Sequence, residues 1–253
     1  VSEIKKLKQL GYNLSEENLL TNQDIEAIKK FQKEGHLFGI CSGNYLNRIK
    51  HYSINKVSYD FYITSTGSLI VLNDKIVDQS QISYTTLTAL FNTYNEMCKI
   101  WIHADFDLYV TSKSVFSFSQ KNIISTPEEV ANKSLRGISL GFANPKEAKI
   151  HAEQIKEVYS DIEVFQNNEC LDIVCKGCTK GNAVKTFTDL IPIEKTYGIG
   201  DNYNDLPLLK MVDVSFTFHS SPKEIQDVCT YIVDSVADAI EIILTEDNES
   251  LKK

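Results

Sequence analysis

The sequence predicts an α/β chain in which a parallel-sheet core is interrupted by an α+β insert. One observation is the order of elements. Helix-like and strand-like segments alternate before residue 78 and again after residue 178, whereas the residues between run mainly strand after strand, as antiparallel sheets do. The other is length: 253 residues suit one to two domains. The predicted division is a core made of residues 1–77 and 178–253, with residues 78–177 inserted into it.

Each element has its own local reason. Residues 22–35 (NQDIEAIKKFQKEG) put Ile25, Ile28 and Phe31 at helical spacing and stop at Gly35, and the apolar run 37–41 then reads as a strand. A helix over 45–51, a strand over 61–64 and a hairpin from 68–72 through Asn73-Asp74 into 75–77 complete the first stretch. In the middle, a helix over 84–97 precedes strands 99–103 and 108–111, and Thr126-Pro-Glu-Glu129 opens a short helix. Strand 137–142 leads to a helix whose start, Asn144-Pro-Lys-Glu147, sets a capping residue before a first-position Pro, and strands 163–166 and 171–175 follow. Alternation resumes with helix 180–190, strand 196–199, helix 203–211 and strand 214–218. Ser221-Pro-Lys-Glu224 has capping-box spacing, and a strand over 231–233 and a helix to about residue 244 close the pattern. Residues 1–16 read as a short basic helix and turn.

Composition narrows the function. Lys and Arg number 26 against 34 Asp and Glu, a net charge of −8, so the broad basic field that nucleic-acid binding needs is missing. The balance of 42% hydrophobic and 24% charged residues excludes disordered and coiled-coil classes. No apolar run approaches the roughly 20 residues of a membrane span, and the first residues are too charged for a signal-peptide core. The expectation is a cytoplasmic protein with neither membrane nor nucleic-acid partners, its oligomeric state open. Six cysteines, several inside apolar runs, read as small hydrophobes. Cys175-Lys-Gly-Cys178 is formally a C-x-x-C, but without a second ligand pair or a βαβ start it is expected to be structural.

The chemistry concentrates at strand-to-helix junctions. Tyr197-Gly-Ile-Gly-Asp-Asn-Tyr-Asn-Asp205 follows an apolar strand, and its carboxylates Asp201 and Asp205, with Asn202 and Asn204 between, sit where ligands bind in doubly wound folds. Such oxygen ligands suit Mg²⁺; an Asn/Asp-rich capping turn is the plainer reading. Thr179-Lys180-Gly181 places a lysine at a helix start, where it opposes the dipole unless an anion is bound there. Ser42-Gly43-Asn44 follows the strand over 37–41 and offers a hydroxyl and backbone N–H groups, or simply an N-cap. Together the three segments match what a phosphate-plus-Mg²⁺ site requires.

Ser42 after an apolar strand, Lys180-Gly181 opening a helix, and Gly200-Asp-Asn-Tyr-Asn-Asp205 resemble the second, third and fourth motifs of haloacid-dehalogenase-like phosphatases, in the Cof-type subgroup with a large α/β cap. Thr64-Ser-Thr-Gly67-Ser-Leu-Ile is similar to a strand-turn segment of that subgroup, with Thr66 where Asn is usual. The resemblance spans residues from about 20 to 244. It implies a Rossmann-like parallel-sheet core interrupted by an α+β cap, and hydrolysis of a small phosphorylated metabolite through an aspartyl-phosphate. It also implies that Asp201 binds Mg²⁺ while Asp205 supports that metal site or the metal's water shell, that Ser42 bonds the transferring phosphoryl group with Gly43 and Asn44 lining the pocket, that Asn204 orients its neighbours, and that Lys180 neutralises charge.

The sequence departs from the family in two places. The nucleophile motif D-x-D-G-T does not occur in it, and Asn44 stands where Arg is usual. Asp24, the one Asp before Ser42, lies in a helical first turn; Asp105-Phe-Asp107 imitates the motif but lies inside the insert and reads as a cap turn. Two readings follow. Either the working enzyme has a nucleophile strand that these residues do not show, which Val1 in place of Met fits, or the chain is a catalytically inactive phosphate and Mg²⁺ binder. A flavodoxin-like or Rossmann cofactor-binding reading is poorer, for want of G-x-G-x-x-G after a first strand. Trp101, His103 and Tyr109 read equally as cap core or as pocket.

Overall fold

The computed structural model describes residues 20–53, 57–114 and 122–250; the basic helix and turn expected over 1–16 lies outside the described residues. Helix α1 (Asn22–Lys33) begins at Thr21, which caps the Asp24 N–H, while Asp24 accepts from the Thr21 N–H (2.8 Å) and hydroxyl (2.7 Å). Strand β1 (Gly39–Cys41), helix α2 (Leu46–Ser53), β2 (Phe61–Thr64), β3 (Leu69–Leu72) and β4 (Lys75–Gln79) follow. The β3–β4 turn uses Asn73 and Asp74 at φ +48° and +59°, left-handed values that Asn and Asp tolerate best among side-chain-bearing residues.

The middle of the chain contributes α3 (Tyr84–Tyr94), β5 (Lys99–Ala104), β6 (Asp107–Thr111), β7 (Ile123–Ile124), β8 (Leu135–Gly141), α4 (Pro145–Val158), β9 (Ile162–Asn167) and β10 (Cys170–Cys175). The last part adds α5 (Lys180–Leu190), β11 (Tyr197–Ile199), α6 (Leu206–Leu209), β12 (Val214–Phe218), α7 (Lys223–Gln226), β13 (Tyr231–Val233) and α8 (Val236–Ser250). No helix among the described residues is long and apolar enough to cross a membrane.

Two expectations need correction. The helix expected over 203–211 is a 3₁₀ turn, Tyr203–Asp205, followed by the short α6, because Pro207 has no N–H to continue an α-helical ladder back to Tyr203. The capping box at Ser221 does not form. The Ser221 hydroxyl is buried, accepting from Thr217 Oγ1 (2.8 Å) and lying 3.3 Å from the Phe218 N–H, while Glu224 accepts the Tyr203 hydroxyl (3.1 Å).

The core sheet comes in two parts. In spatial order β1-β2-β3-β4, the first pair is parallel and the rest antiparallel; β11-β12-β13 is parallel throughout. Helices α1 and α8 cover the second part through Ile28, Phe31, Phe216, Val233, Ile240 and Ile243. The first part is buried on both faces, by Leu46 and Ile49 of α2 on one side and by Ala183 and Phe187 of α5 on the other. That two-sided burial is why β2 and β3 read as unbroken apolar runs. Among the described residues β1 pairs only with β2 and β11 only with β12, so each lies at an edge.

The cap is the six-stranded sheet β7-β6-β5-β8-β10-β9, antiparallel except for β6–β7. Leu87, Leu90, Ala148 and Ile155 of α3 and α4 pack on one of its faces. Its other face looks towards the core: the Asn47 N–H donates to the Phe106 carbonyl (3.1 Å), and the Asn47 side chain to Asp107 (2.8 Å).

Candidate active site

The site segments meet because two glycines let backbones touch. A Cβ on Gly181 would stand 2.3 Å from the Pro207 carbonyl oxygen, and one on Gly67 2.6 Å from that of Thr179. No side chain fits at either distance. Gly181 thus lets α5 lie against α6, and Gly67, at φ +94°, seats loop 65–67 on the start of α5. Thr179 caps α5 by accepting the Asn182 N–H (2.9 Å), which makes Lys180 its first residue.

Lys180 is 6% exposed and Asp205 7%. Lys180 Nζ donates to Oδ1 of Asp205, while Oδ2 of Asp205 accepts the N–H groups of Asp201 (3.1 Å) and Asn202 (3.3 Å). Both oxygens of Asp205 are therefore engaged. Burial works against the lysine's charge, but the facing Asp205, together with Cys41 and Asp201, outweighs it and holds the Lys180 pKa above the ordinary lysine value. Asp201 is exposed as a residue; partial burial of its carboxyl, then the charge of Asp205, push its pKa up. Asn204 is half-buried on the same turn.

The end of β1 lies beside this ion pair. The Cys41 thiol is pushed up to about 12, chiefly by burial, and feels the charges of both Lys180 and Asp205. The next residues are pinned to β2 and its turn. The Ser42 N–H donates to Ile63 (2.8 Å), and the carbonyls of Ser42 and Asn44 accept from Thr66 (3.3 Å) and Ser65 (3.0 Å). These bonds hold Ser65 and Thr66 at φ +48° and +58°, a left-handed conformation that costs a side-chain-bearing residue free energy. Ser42 Oγ accepts from the Asn44 N–H (3.2 Å) and side-chain amide (3.4 Å), which leaves the hydroxyl proton available to an anion. Ser42 and Gly43 are half-buried and Asn44 is exposed.

From the cap, Ser139 Oγ donates to Asp172 Oδ1 (2.6 Å) and lies 3.3 Å from His103 Nε2. With the serine proton committed to Asp172, Nε2 is the donor, and Nδ1 is a bare acceptor, buried and without a partner among the described residues. Burial lowers the His103 pKa, opposed by Asp172 and reinforced by Arg48, so the ring is neutral. Gly43, Thr66, His103, Ser139 and Asp172 line one narrow cavity of about 10 Å³ between cap and core, room for about one water.

The structure thus brings Ser42, Gly43, Lys180, Asp201 and Asp205 to one end of the core strands. His103, which sequence reasoning left open, faces the cleft; Trp101 instead donates its indole N–H to the Ser114 carbonyl (3.2 Å), and Tyr109 lies under Lys133. Ser139 and Asp172 are not among the sequence candidates, and Thr66 enters only through the strand-turn segment 64–70. Period-two alternation could have found the first two: Ile138 and Leu140, and Leu171 and Ile173, face the cap core, so the polar residue between each pair faces the cleft. The remaining sequence candidates are engaged elsewhere. Asp24 Oδ1 accepts the Ala237 N–H (2.9 Å), and Asp105, in the β5–β6 turn, accepts from the Ser134 N–H (3.0 Å) and Lys133 (3.2 Å).

A core whose strand ends carry a hydroxyl, a lysine and an acidic turn beneath a sheet-built cap is that of a capped phosphatase-type hydrolase. Residues 14–241 match the haloacid dehalogenase-like hydrolase family, and the chain belongs to it. A protein of Buchnera aphidicola subsp. Baizongia pistaciae, provisionally described as a phosphatase, is 24% identical over 215 residues, covering 79% of this chain and 80% of its own. Among solved structures, the HAD subclass IIB sugar phosphatase BT4131 superposes with a TM-score of 0.73 at 16% identity, over 88% of this chain and 91% of that one. The HAD-family phosphatase BT1666 from Bacteroides thetaiotaomicron does so with a TM-score of 0.75 at 18% identity, over 92% and 90%. At these identities the two structures speak to the fold.

Proposed function

We propose that the chain is a Mg²⁺-dependent phosphohydrolase acting on a small phosphate monoester of the cytoplasm, such as a sugar phosphate, by an aspartyl-phosphate route. The core is residues 1–77 and 178–253 and the cap residues 78–177. The observation that carries this reading is the buried Lys180–Asp205 pair, which lies beside Cys41 at the end of the strand leading to Ser42 and accepts the N–H of the exposed Asp201. An all-oxygen donor set with one outward carboxylate fits Mg²⁺, which takes few protein ligands and keeps water and phosphate in its other positions. Asp201 is the direct ligand. Asp205, engaged on both oxygens, supports the turn from behind rather than reaching the ion. When bound, the ion supplies positive charge against the phosphoryl oxygens.

The chain's own residues do the rest. Ser42 donates its hydroxyl proton to a phosphoryl oxygen, with Gly43 and Asn44 beside it. Lys180 has three N–H donors, and Asp205 takes one and so orients the others towards the reacting charge. Asn204 orients the acidic turn. On the cap side, the bare Nδ1 of His103 and the carboxylate of Asp172 are acceptors for hydroxyl groups, which suits a polyol or sugar leaving group. A cavity of about 10 Å³ holds no such molecule, so the cap lifts from Asn47 to admit one.

A specific observation favours a second reading. An aspartyl-phosphate needs a carboxylate in line with phosphorus, and Asp24 and Asp105 are both committed to backbone N–H groups. Without another nucleophile the pocket binds phosphate and Mg²⁺ but does not turn over. Phosphate release from p-nitrophenyl phosphate and a sugar-phosphate panel, with and without Mg²⁺, separates the two. The enzyme reading expects Mg²⁺-dependent turnover that falls at least about a hundredfold in Asp201→Ala. The binding reading expects no turnover, and Mg²⁺-dependent calorimetric binding of inorganic phosphate that weakens in the same variant. Turnover undiminished in Asp201→Ala refutes both.

A further inference from the structure

The chain passes between core and cap twice, and one pair of cysteines lies at both crossings. At the first, the Ser80 N–H donates to the Ser68 carbonyl (2.9 Å) and the Ile82 N–H to Leu135 (2.9 Å), while Arg136, 2% exposed, donates to Gln79 (2.7 Å). At the second, β10 ends at Cys175 and α5 begins after Thr179. The Cys178 N–H donates to the Cys175 carbonyl (3.1 Å), which closes a four-residue turn. Across that turn the two Sγ atoms face each other at 2.9 Å, with Ser80 of the first crossing beside both of them. All six cysteines are free thiols, and among the described residues no other two are in hydrogen-bond contact.

We propose that Cys175 and Cys178 are a redox-active dithiol in the hinge, converted by hydrogen peroxide to an intramolecular disulfide. The Cys178 thiolate attacks one peroxide oxygen; an S–O bond forms, the O–O bond breaks, and the departing hydroxide takes up a proton as water. The Cys175 sulfur then attacks the resulting sulfenic acid, forming S–S and breaking S–O, and the Cys175 proton leaves with the hydroxide as a second water. Two thiols lose two electrons, and one peroxide gains them.

The surroundings support this order of events. The Cys175 S–H donates to Cys178 and lowers the latter's pKa to about 6 against the opposing effect of burial, so the first proton leaves Cys178 while Cys175 keeps its own. Burial does the opposite elsewhere, pushing Cys41 and Cys98 up to about 12 and Cys170 to about 11. Cys178 is buried and Cys175 half-buried, which admits peroxide more readily than a bulky disulfide reagent. The new bond would join the last residue of a cap strand to the residue before the Thr179 cap of α5, and so stiffen a turn that moves when the cap lifts.

The test uses the full chain and reads mass, so it is independent of whether the protein turns over phosphate. After one equivalent of peroxide at neutral pH and blocking with N-ethylmaleimide, the oxidised chain should weigh about 2 Da less before labelling and carry two fewer adducts. The missing adducts should map to the 175–178 peptide and return after dithiothreitol. In Cys175→Ser, dimedone should trap a sulfenic acid at Cys178. Without any variant, limited labelling of the reduced wild-type chain should modify Cys178 at least about tenfold faster than Cys41 or Cys98. A 175–178 peptide still doubly alkylated after peroxide, a disulfide between other cysteines, or equal labelling rates would overturn the proposal.

Discussion

Replacing Lys180 with methionine removes one charge of the buried pair while keeping most of the volume, and it tests whether this pair holds the site together. Asp205 would remain 7% exposed with only the two N–H bonds of residues 201 and 202, at 3.1 and 3.3 Å, to compensate its charge. Breaking a buried pair in this way costs about 3–5 kcal/mol, and the surviving bonds put the expectation near the lower end. For a chain of this size about 3 kcal/mol corresponds to a drop in Tm of about 6–12 °C. Asp205→Asn should cost a similar amount, since its amide still accepts the turn N–H groups but leaves the ammonium buried and unpaired. In the double variant neither charge remains, so its loss should fall short of the sum of the singles by about 3 kcal/mol. Urea unfolding followed by circular dichroism measures all three. If the single losses add to within about 0.5 kcal/mol, the two groups are uncoupled and the account of the site is wrong.

Other outcomes follow from the same geometry. His103→Ala and Asp172→Asn should raise KM for sugar phosphates by about tenfold, a loss of about 1.4 kcal/mol in hydroxyl recognition, while changing kcat for p-nitrophenyl phosphate little; equal effects on both substrates would place these residues outside substrate recognition. Gly181→Ala drives a methyl group into the Pro207 carbonyl, and thermal unfolding should show a loss of about 1–3 kcal/mol, whereas an unchanged Tm would mean that the α5–α6 contact yields freely. Hydrogen bonds from the Thr196 side chain and N–H lower the pKa of Asp213 below its unfolded value. That contribution is present above the unfolded pKa and is lost as pH falls through the folded one. Being exposed, the group contributes no more than about 1 kcal/mol. Asp213→Asn should therefore lose less stability than wild type on acidification below about pH 4, which unfolding midpoints across that range will check.

Much of this was legible in local pattern. The strands 61–64, 214–218 and 231–233 and the helix 180–190 occur with the expected bounds, because apolar runs, caps and turn residues act over a few neighbours. Local signals also misled. The periodicity over 203–211 hid the effect of Pro207 on its own helix, and the Ser221 spacing hid a hydroxyl claimed by Thr217 from the neighbouring strand. The cap face could have been read by alternation, but which face met the core could not.

Alone, the sequence determined the alternation that makes an interrupted α/β core, and the polar turns at strand ends around Ser42, Lys180 and Asp201. Tertiary structure decided their roles: that Asp205 faces Lys180 and not the solvent, that Asp24 is tied to residue 237, that His103 joins Ser139 and Asp172 above Gly43, and that Cys175 and Cys178 lie beside Ser80. The physical reason is range. Propensity and capping are settled within a turn or two of chain, whereas burial, charge pairing and thiol acidity depend on which distant residues the sheets bring within about 4 Å.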